Sequence, residues 1–148
     1  FMTLAEQQIK VAHRTKKEMS IFYADLDDLK MINDTYGHDE GDAVLVEAAA
    51  ILRDAFRDSD IIARLGGDEF AVLAIDVAEG KAAGLARRLR EKIAARNSRQ
   101  GQAYSISFSL GTARYDPDKP CSLAELLISA DKKMYQDKSA KKTAVKAA

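Results

Sequence analysis

The chain opens on a polar stretch, Thr3 to Lys17, whose Leu4, Ile9, Val11 and Ala12 predict a moderately amphipathic helix. The period then changes. Met19 to Asp25 (MSIFYAD) is a short apolar run with β-branched and aromatic residues, bounded by acids, which suits a buried strand ending in carboxylates. Leu29 to Tyr36 predicts a short helix closed by Gly37, and Asp39 to Arg57 a longer one with Val44, Leu45, Ala48, Ile51, Leu52 and Phe56 along one side. Ile61 to Leu65 and Phe70 to Ile75 are strand-like and flank Gly66-Gly67-Asp68-Glu69, which reads as the turn of a β-hairpin because glycine permits positive φ. Ala78 to Ala95 predicts a helix through Leu85, Leu89 and Ile93, and Tyr104 to Ala113 a further strand. Ser122, with Glu125 three residues on, forms a capping-box signature for a last helix to about Ala140, followed by a Lys- and Ala-rich tail expected to fray.

Without the first helix, this order contains the βαββαβ pattern of ferredoxin-like sheets, an α+β core sheet flanked by helices. In that topology the first strand and the strand after the hairpin are antiparallel neighbours, so the end of one lies beside the start of the other. Asp25 is therefore expected close to Asp68 and Glu69, with Asp27 and Asp28 nearby. Carboxylates so crowded repel unless a cation neutralises them. Hard oxygen donors at a sheet edge favour Mg²⁺ or Mn²⁺ held jointly with substrate phosphates, which points to phosphoryl or nucleotidyl transfer.

Composition narrows the classes. At 148 residues and 47% hydrophobic, the chain suits one domain, 1–148, with no internal repeat or linker. Lys plus Arg and Asp plus Glu number 23 each, so there is no net field to hold a nucleic acid and anion binding must be local. Cys121 has no partner for an internal disulfide, which fits a reducing, cytoplasmic setting. No apolar run approaches a membrane span, so no direct membrane contact is expected of this domain; a start at Phe1 leaves open a longer protein with membrane-bound parts.

Several ordered motifs carry a family resemblance. Asp25-Leu26-Asp27-Asp28-Leu29-Lys30-Met31-Ile32-Asn33-Asp34, then Gly37-His38 and Gly41-Asp42, resembles the D-x-D-x-F-K-x-x-N-D…G-H…G-D signature of GGDEF domains, and residues 66–70 spell GGDEF. Ser109-Leu110-Gly111 and the segment from Ala130 to Lys138 resemble the family's later strand and its terminal A-D-x-x-M-Y-x-x-K helix. The resemblance implies a fold similar to nucleotidyl cyclase and polymerase palm domains, and a diguanylate cyclase that condenses two GTP into cyclic di-GMP.

It also implies roles. Asp25, the Leu26 backbone carbonyl and Asp68 would hold metal ions, two per site, with Glu69 as a further ligand or acid-base group and Asp68 and Glu69 as the catalytic pair. Gly66 and Gly67 would let the hairpin backbone approach the phosphates. Asn33 and Asp42 match a guanine-reading pair, the carboxylate accepting from N1–H and the exocyclic amine; the alternative is that both merely cap helices. Lys138 matches a phosphate contact and Lys142 stands where the family often has arginine, although basic residues also suit a helix C-terminus. Arg57 and Asp60 fit the family's R-x-x-D product-inhibition motif, with Arg88 as a weaker second contact. His38 reads as structural, His13 as a surface residue, and Met134 and Tyr135 as core.

The chain departs from the pattern in three places: it begins just after the family's D-x-L-T-G-L-x-N-R-R opening segment, Leu29 replaces a phenylalanine, and Lys141-Lys142 replaces Gly-Arg. The implied partners are GTP, cyclic di-GMP as product and inhibitor, a second copy in a homodimer, and an upstream sensory domain. A non-catalytic domain that binds cyclic di-GMP or GTP, and a structural dimerisation module, stand as alternatives.

Overall fold

A computed structural model describes residues 1–78 and 80–148. The elements run α1 (Met2–Thr15), β1 (Met19–Leu26), α2 (Leu29–Tyr36), α3 (His38–Ala55), β2 (Ile61–Gly66), β3 (Glu69–Ile75), α4 (Lys81–Asn97), β4 (Phe108–Tyr115) and α5 (Leu123–Ala147). The four strands form one antiparallel sheet in the order β2-β3-β1-β4, the ferredoxin-like arrangement expected from the element order.

The central strand β1 is covered on both faces, which is why its sequence is almost continuously apolar instead of alternating. Phe22, Ala24 and Leu26 pack with Val72, Ala74 and Phe108 against Val44, Ala48 and Leu52 of α3 and Leu89 of α4. Met19 and Ile21 pack on the other face with Ala5 and Ala12 of α1 and Leu123, Leu126 and Ala130 of α5. The two-residue period of a strand therefore puts Tyr23 and Asp25 on the face of α1 and α5. Gly111 lets α5 lie that close to the sheet: a Cβ there would sit 1.8 Å from the Ala130 carbonyl oxygen and 2.3 Å from the Met134 nitrogen.

Local chemistry sets the element ends. Gly37, at φ 93°, both closes α2 and opens α3, a sharp join that an L side chain rarely adopts. At α5, Ser122 Oγ accepts from the Glu125 amide at 3.2 Å while the Ser122 amide donates to Glu125 Oε2 at 2.8 Å, completing the capping box.

Most element ends fall within two residues of the sequence reading, and three elements depart from it further. The last strand starts at Phe108, not Tyr104, because side chains at the end of α4 take up the backbone before it. Arg96 Nη1 donates to the Tyr104 carbonyl at 2.7 Å, and the Asn97 amide donates to the Ile106 carbonyl at 2.8 Å and accepts from its N–H at 2.9 Å. The helix expected over Ala78–Ala95 runs over Lys81–Asn97, and Glu79 lies outside the described residues. The Lys- and Ala-rich tail continues α5 to Ala147 instead of fraying, consistent with the high helix propensity of both residues. Met134 is buried as expected, whereas Tyr135 is exposed: one residue of helix turns it away from the sheet.

Candidate active site

The site forms where β1 ends. Asp25 pairs in register with Glu69 on β3 and with Ser109 on β4, so the carboxylate lies between the hairpin and β4, as the topology requires. The Leu26 amide donates to the Asp68 carbonyl at 2.8 Å, tying the end of β1 to the hairpin turn. Gly67, at φ 22°, and Asp68 make that turn, and no atom lies within 4 Å of a Cβ built on Gly66 or Gly67, so the backbone there is open to an incoming group.

Asp25 is 5% exposed and carries one strong partner, Lys138 Nζ at 2.7 Å. Burial pushes its carboxyl pKa up; the charges of Asp68 and Asp27 add to the rise, and the Lys138 contact opposes it. At Lys138 burial works against the charge, but the bond to Asp25 and the charges of Asp25, Asp68 and Asp27 outweigh it and raise its pKa. Asp25, Asp68 and Asp27 thus form an acidic centre answered by an amine from α5. One buried and several half-buried carboxylates beside backbone oxygen suit a hard divalent cation, so the donor set fits Mg²⁺ or Mn²⁺, although among the described residues no three His, Cys, Asp or Glu side chains already close around a metal position.

Asn33 meets Gly41, the residue before Asp42, across the Gly37 join. A Cβ on Gly41 would fall 1.7 Å from Asn33 Oδ1, so the Asn33 amide lies against the backbone of α3 one residue before Asp42. Asp42 is exposed and borders a cleft of about 490 Å³ shared with Leu45, Ala49, Ile62, Arg64 and Phe70. Lys138 and Lys142 line a second cleft of about 570 Å³ with Asp27 and Asp28. Arg57, Asp60 and Arg88 border a third, of about 360 Å³, together with Lys81 and Arg87. Asp60 is braced there: its Oδ2 accepts from the Arg57 amide at 2.9 Å and its Oδ1 from the Ile75 amide at 3.0 Å. Arg88 Nε donates to the Ala55 carbonyl, and His38 sits exposed in the first turn of α3.

Two features went unassigned from sequence. Tyr23 lies two residues before Asp25 on the same strand face; burial, the charges of Glu69 and Asp131, and a hydrogen bond to Glu69 push its pKa up to about 12. Asp27 is held by Ser107 Oγ at 2.8 Å, Ser109 Oγ at 2.7 Å and Lys141 Nζ at 3.1 Å. The strand period flags Tyr23 once Asp25 is suspected; Ser107 and Lys141 become neighbours only through the tertiary fold.

Comparison with known proteins places the fold in a family. The chain is 40% identical over 133 residues to the bifunctional diguanylate cyclase/cyclic di-GMP phosphodiesterase MucR of Pseudomonas aeruginosa, covering 90% of this chain and 19% of MucR. It is 36% identical to diguanylate cyclase A of Treponema denticola, covering 83% of this chain and 33% of that protein, so it spans about a third or less of these curated relatives. Among solved structures, the GGDEF domain of Pseudomonas aeruginosa TpbB (YfiN) superposes with a TM-score of 0.84 at 37% identity, covering 95% of this chain and 82% of that one. A sensory box/GGDEF family protein from Caulobacter crescentus gives 0.82 at 35% identity, covering 94% and 90% of the two chains. The family model described as "Diguanylate cyclase, GGDEF domain" matches residues 1–144, and the chain belongs to that family.

Proposed function

We propose that this chain is the catalytic domain of a diguanylate cyclase, joining two GTP into cyclic di-GMP with release of two pyrophosphates. The observation that carries the reading is the convergence at the end of β1, where Asp25 stands opposite Glu69, the Leu26 amide is bonded to Asp68, and Lys138 reaches in from α5. In each half-reaction a 3′-hydroxyl oxygen bonds to the α-phosphorus of the other GTP, the bond to pyrophosphate breaks, and the hydroxyl proton is lost. Divalent cations, two per site, would polarise the α-phosphate and neutralise the leaving group.

The protein supplies the rest. Asp25, the Leu26 carbonyl and Asp68 would hold the cations, with Glu69 beside them as ligand or proton acceptor. The open backbone of Gly66 and Gly67 would admit the phosphates, and Lys138 and Lys142 would meet their outer oxygens. Asn33 and Asp42 would read guanine; adenine presents an acceptor at N1 that a carboxylate repels, so a mismatched base meets repulsion where guanine would donate. One GTP per subunit requires two sites to face each other, hence a homodimer, brought together by domains outside this chain that sense a signal. GTP supply places the reaction in the cytoplasm; among the described residues no helix is long and apolar enough to cross a membrane.

Product feedback is assigned to the cleft of Arg57, Asp60 and Arg88, where guanidinium groups could fork onto guanine or phosphate. Because both Asp60 oxygens already accept backbone amides, a ligand would use their remaining lone pairs. Incubation with Mg²⁺ and either GTP or ATP, followed by separation of products, tests the reading. Cyclic di-GMP from GTP alone supports it; nucleotide binding without turnover identifies a sensor domain, and neither result a dimerisation module.

A further inference from the structure

The turn after β1 passes through a left-handed residue. Asp28 has φ 59° and ψ 20°, a region that aspartate visits more readily than most L residues but less readily than glycine, so constraints from neighbouring residues help to hold it. Its neighbour Asp27 supplies those constraints. The Asp27 amide donates to the Ser107 carbonyl at 2.8 Å, Ser109 Oγ donates to Oδ1 at 2.7 Å and Ser107 Oγ to Oδ2 at 2.8 Å. All three come from the β4 side. The remaining tie comes from α5: Lys141 Nζ lies 3.1 Å from Asp27 Oδ2 and 3.4 Å from Ser107 Oγ, and donates to the Phe108 carbonyl.

Lys141 is three residues after Lys138 on the same helix, so the two ammonium groups share a face and meet alternate acids of one turn, Lys138 on Asp25 and Lys141 on Asp27. Asp137, one turn back, lies 3.6 Å from Lys141 while accepting the Leu110 amide at 2.9 Å, which fixes α5 to β4 at the same level. The GGDEF signature that this chain resembles has glycine where Lys141 stands, and glycine has no side chain to make such a tether.

We propose that Lys141 is a positioning residue, clamping Asp27 to α5 so that the left-handed turn holds Asp25 and the Leu26 carbonyl ready for the divalent cation and the triphosphate. The inference rests on the function proposed above. Lys141→Met keeps the aliphatic stem and removes the charge, and Lys141→Arg restores a cation of similar reach. The assay is calorimetric binding of a non-hydrolysable GTP analogue to the full 148-residue chain across a Mg²⁺ series, with melting temperature in parallel. Lys141→Met is expected to raise the Mg²⁺ concentration for half-maximal binding about 10-fold, the lower end for groups that orient metal ligands, with Lys141→Arg recovering most of the loss. In an Asp27→Asn background the same change is expected to add little, because the two residues act as one unit.

A Mg²⁺ midpoint within about twofold of the parent's, whatever the melting temperature does, overturns the clamp, since a contact that only anchors α5 to the sheet alters stability without altering metal dependence. A full additional loss in the Asp27→Asn background overturns it too. Failure of the parent to bind the analogue at saturating Mg²⁺ refutes the nucleotide site itself and the clamp with it, so the two failures are distinguishable.

Discussion

Gly41→Ala separates recognition from folding. A methyl group at position 41 would lie 1.7 Å from Asn33 Oδ1 and 2.7 Å from its Cγ, far inside van der Waals contact. The obstruction is the end of one side chain, so Asn33 can rotate away and leave the backbone in place. Gly41 is in the first turn of α3, where alanine is the better helix former by up to about 1 kcal/mol, enough to offset much of the displacement. The melting temperature should therefore hold or rise. Binding should not: moving the Asn33 amide removes a base contact, and a lost hydrogen bond of about 1–2 kcal/mol corresponds to a roughly 5- to 30-fold weaker affinity for GTP. The assay is titration of a non-hydrolysable GTP analogue with Mg²⁺, beside thermal melting. Undiminished affinity in a folded variant would refute the placement of guanine between Asn33 and Asp42, and unfolding would refute the claim that only a side chain is displaced.

Gly111→Ala should behave in the opposite way, because its methyl would strike the backbone of α5, 1.8 Å from the Ala130 oxygen; a loss of about 2–4 kcal/mol is expected in denaturant unfolding, and a loss below about 0.5 kcal/mol would contradict the close helix–sheet approach. Asp25 gives a pH signature. Its folded-state pKa is raised above the ordinary 3.8, so the native state holds this proton more tightly than the unfolded chain, and the carboxyl's contribution to stability falls as pH climbs from that value through the raised one. The melting temperature of Asp25→Asn minus that of the parent should accordingly grow across this window; a flat or falling difference would show that the carboxyl is not destabilised by burial.

The fold was legible because its signals were local and mutually consistent: the uniformly apolar β1, the Gly66-Gly67 turn, the Gly37 join and the Ser122–Glu125 capping box each fixed an element without distant partners. The proximity of Asp25 to Glu69 then followed from topology alone. Less legible were the features set by tertiary partners. Tyr104 to Ser107 has strand-forming residues, but Arg96 and Asn97 supply the hydrogen bonds a ladder would have made. The end of α5 is written in residues suited equally to a frayed tail, and nothing before folding shows Lys141 reaching Asp27. Asp60 matched a binding motif, while the bonds it accepts, a local one from the Arg57 amide and one from the Ile75 amide on the far side of the hairpin, give it a structural task as well.

Cyclic di-GMP production by the parent and by Asp68→Asn, each incubated with GTP and Mg²⁺ at matched protein concentration, decides whether the hairpin acid is needed for turnover. The exchange removes one negative charge at the hairpin tip while preserving shape, and Asp68 meets the rest of the fold through its backbone carbonyl, so folding should be unaffected. Product is expected from the parent and none above background from the folded variant. Equal synthesis by the two, or none by the parent under conditions that pair its subunits, would contradict that expectation.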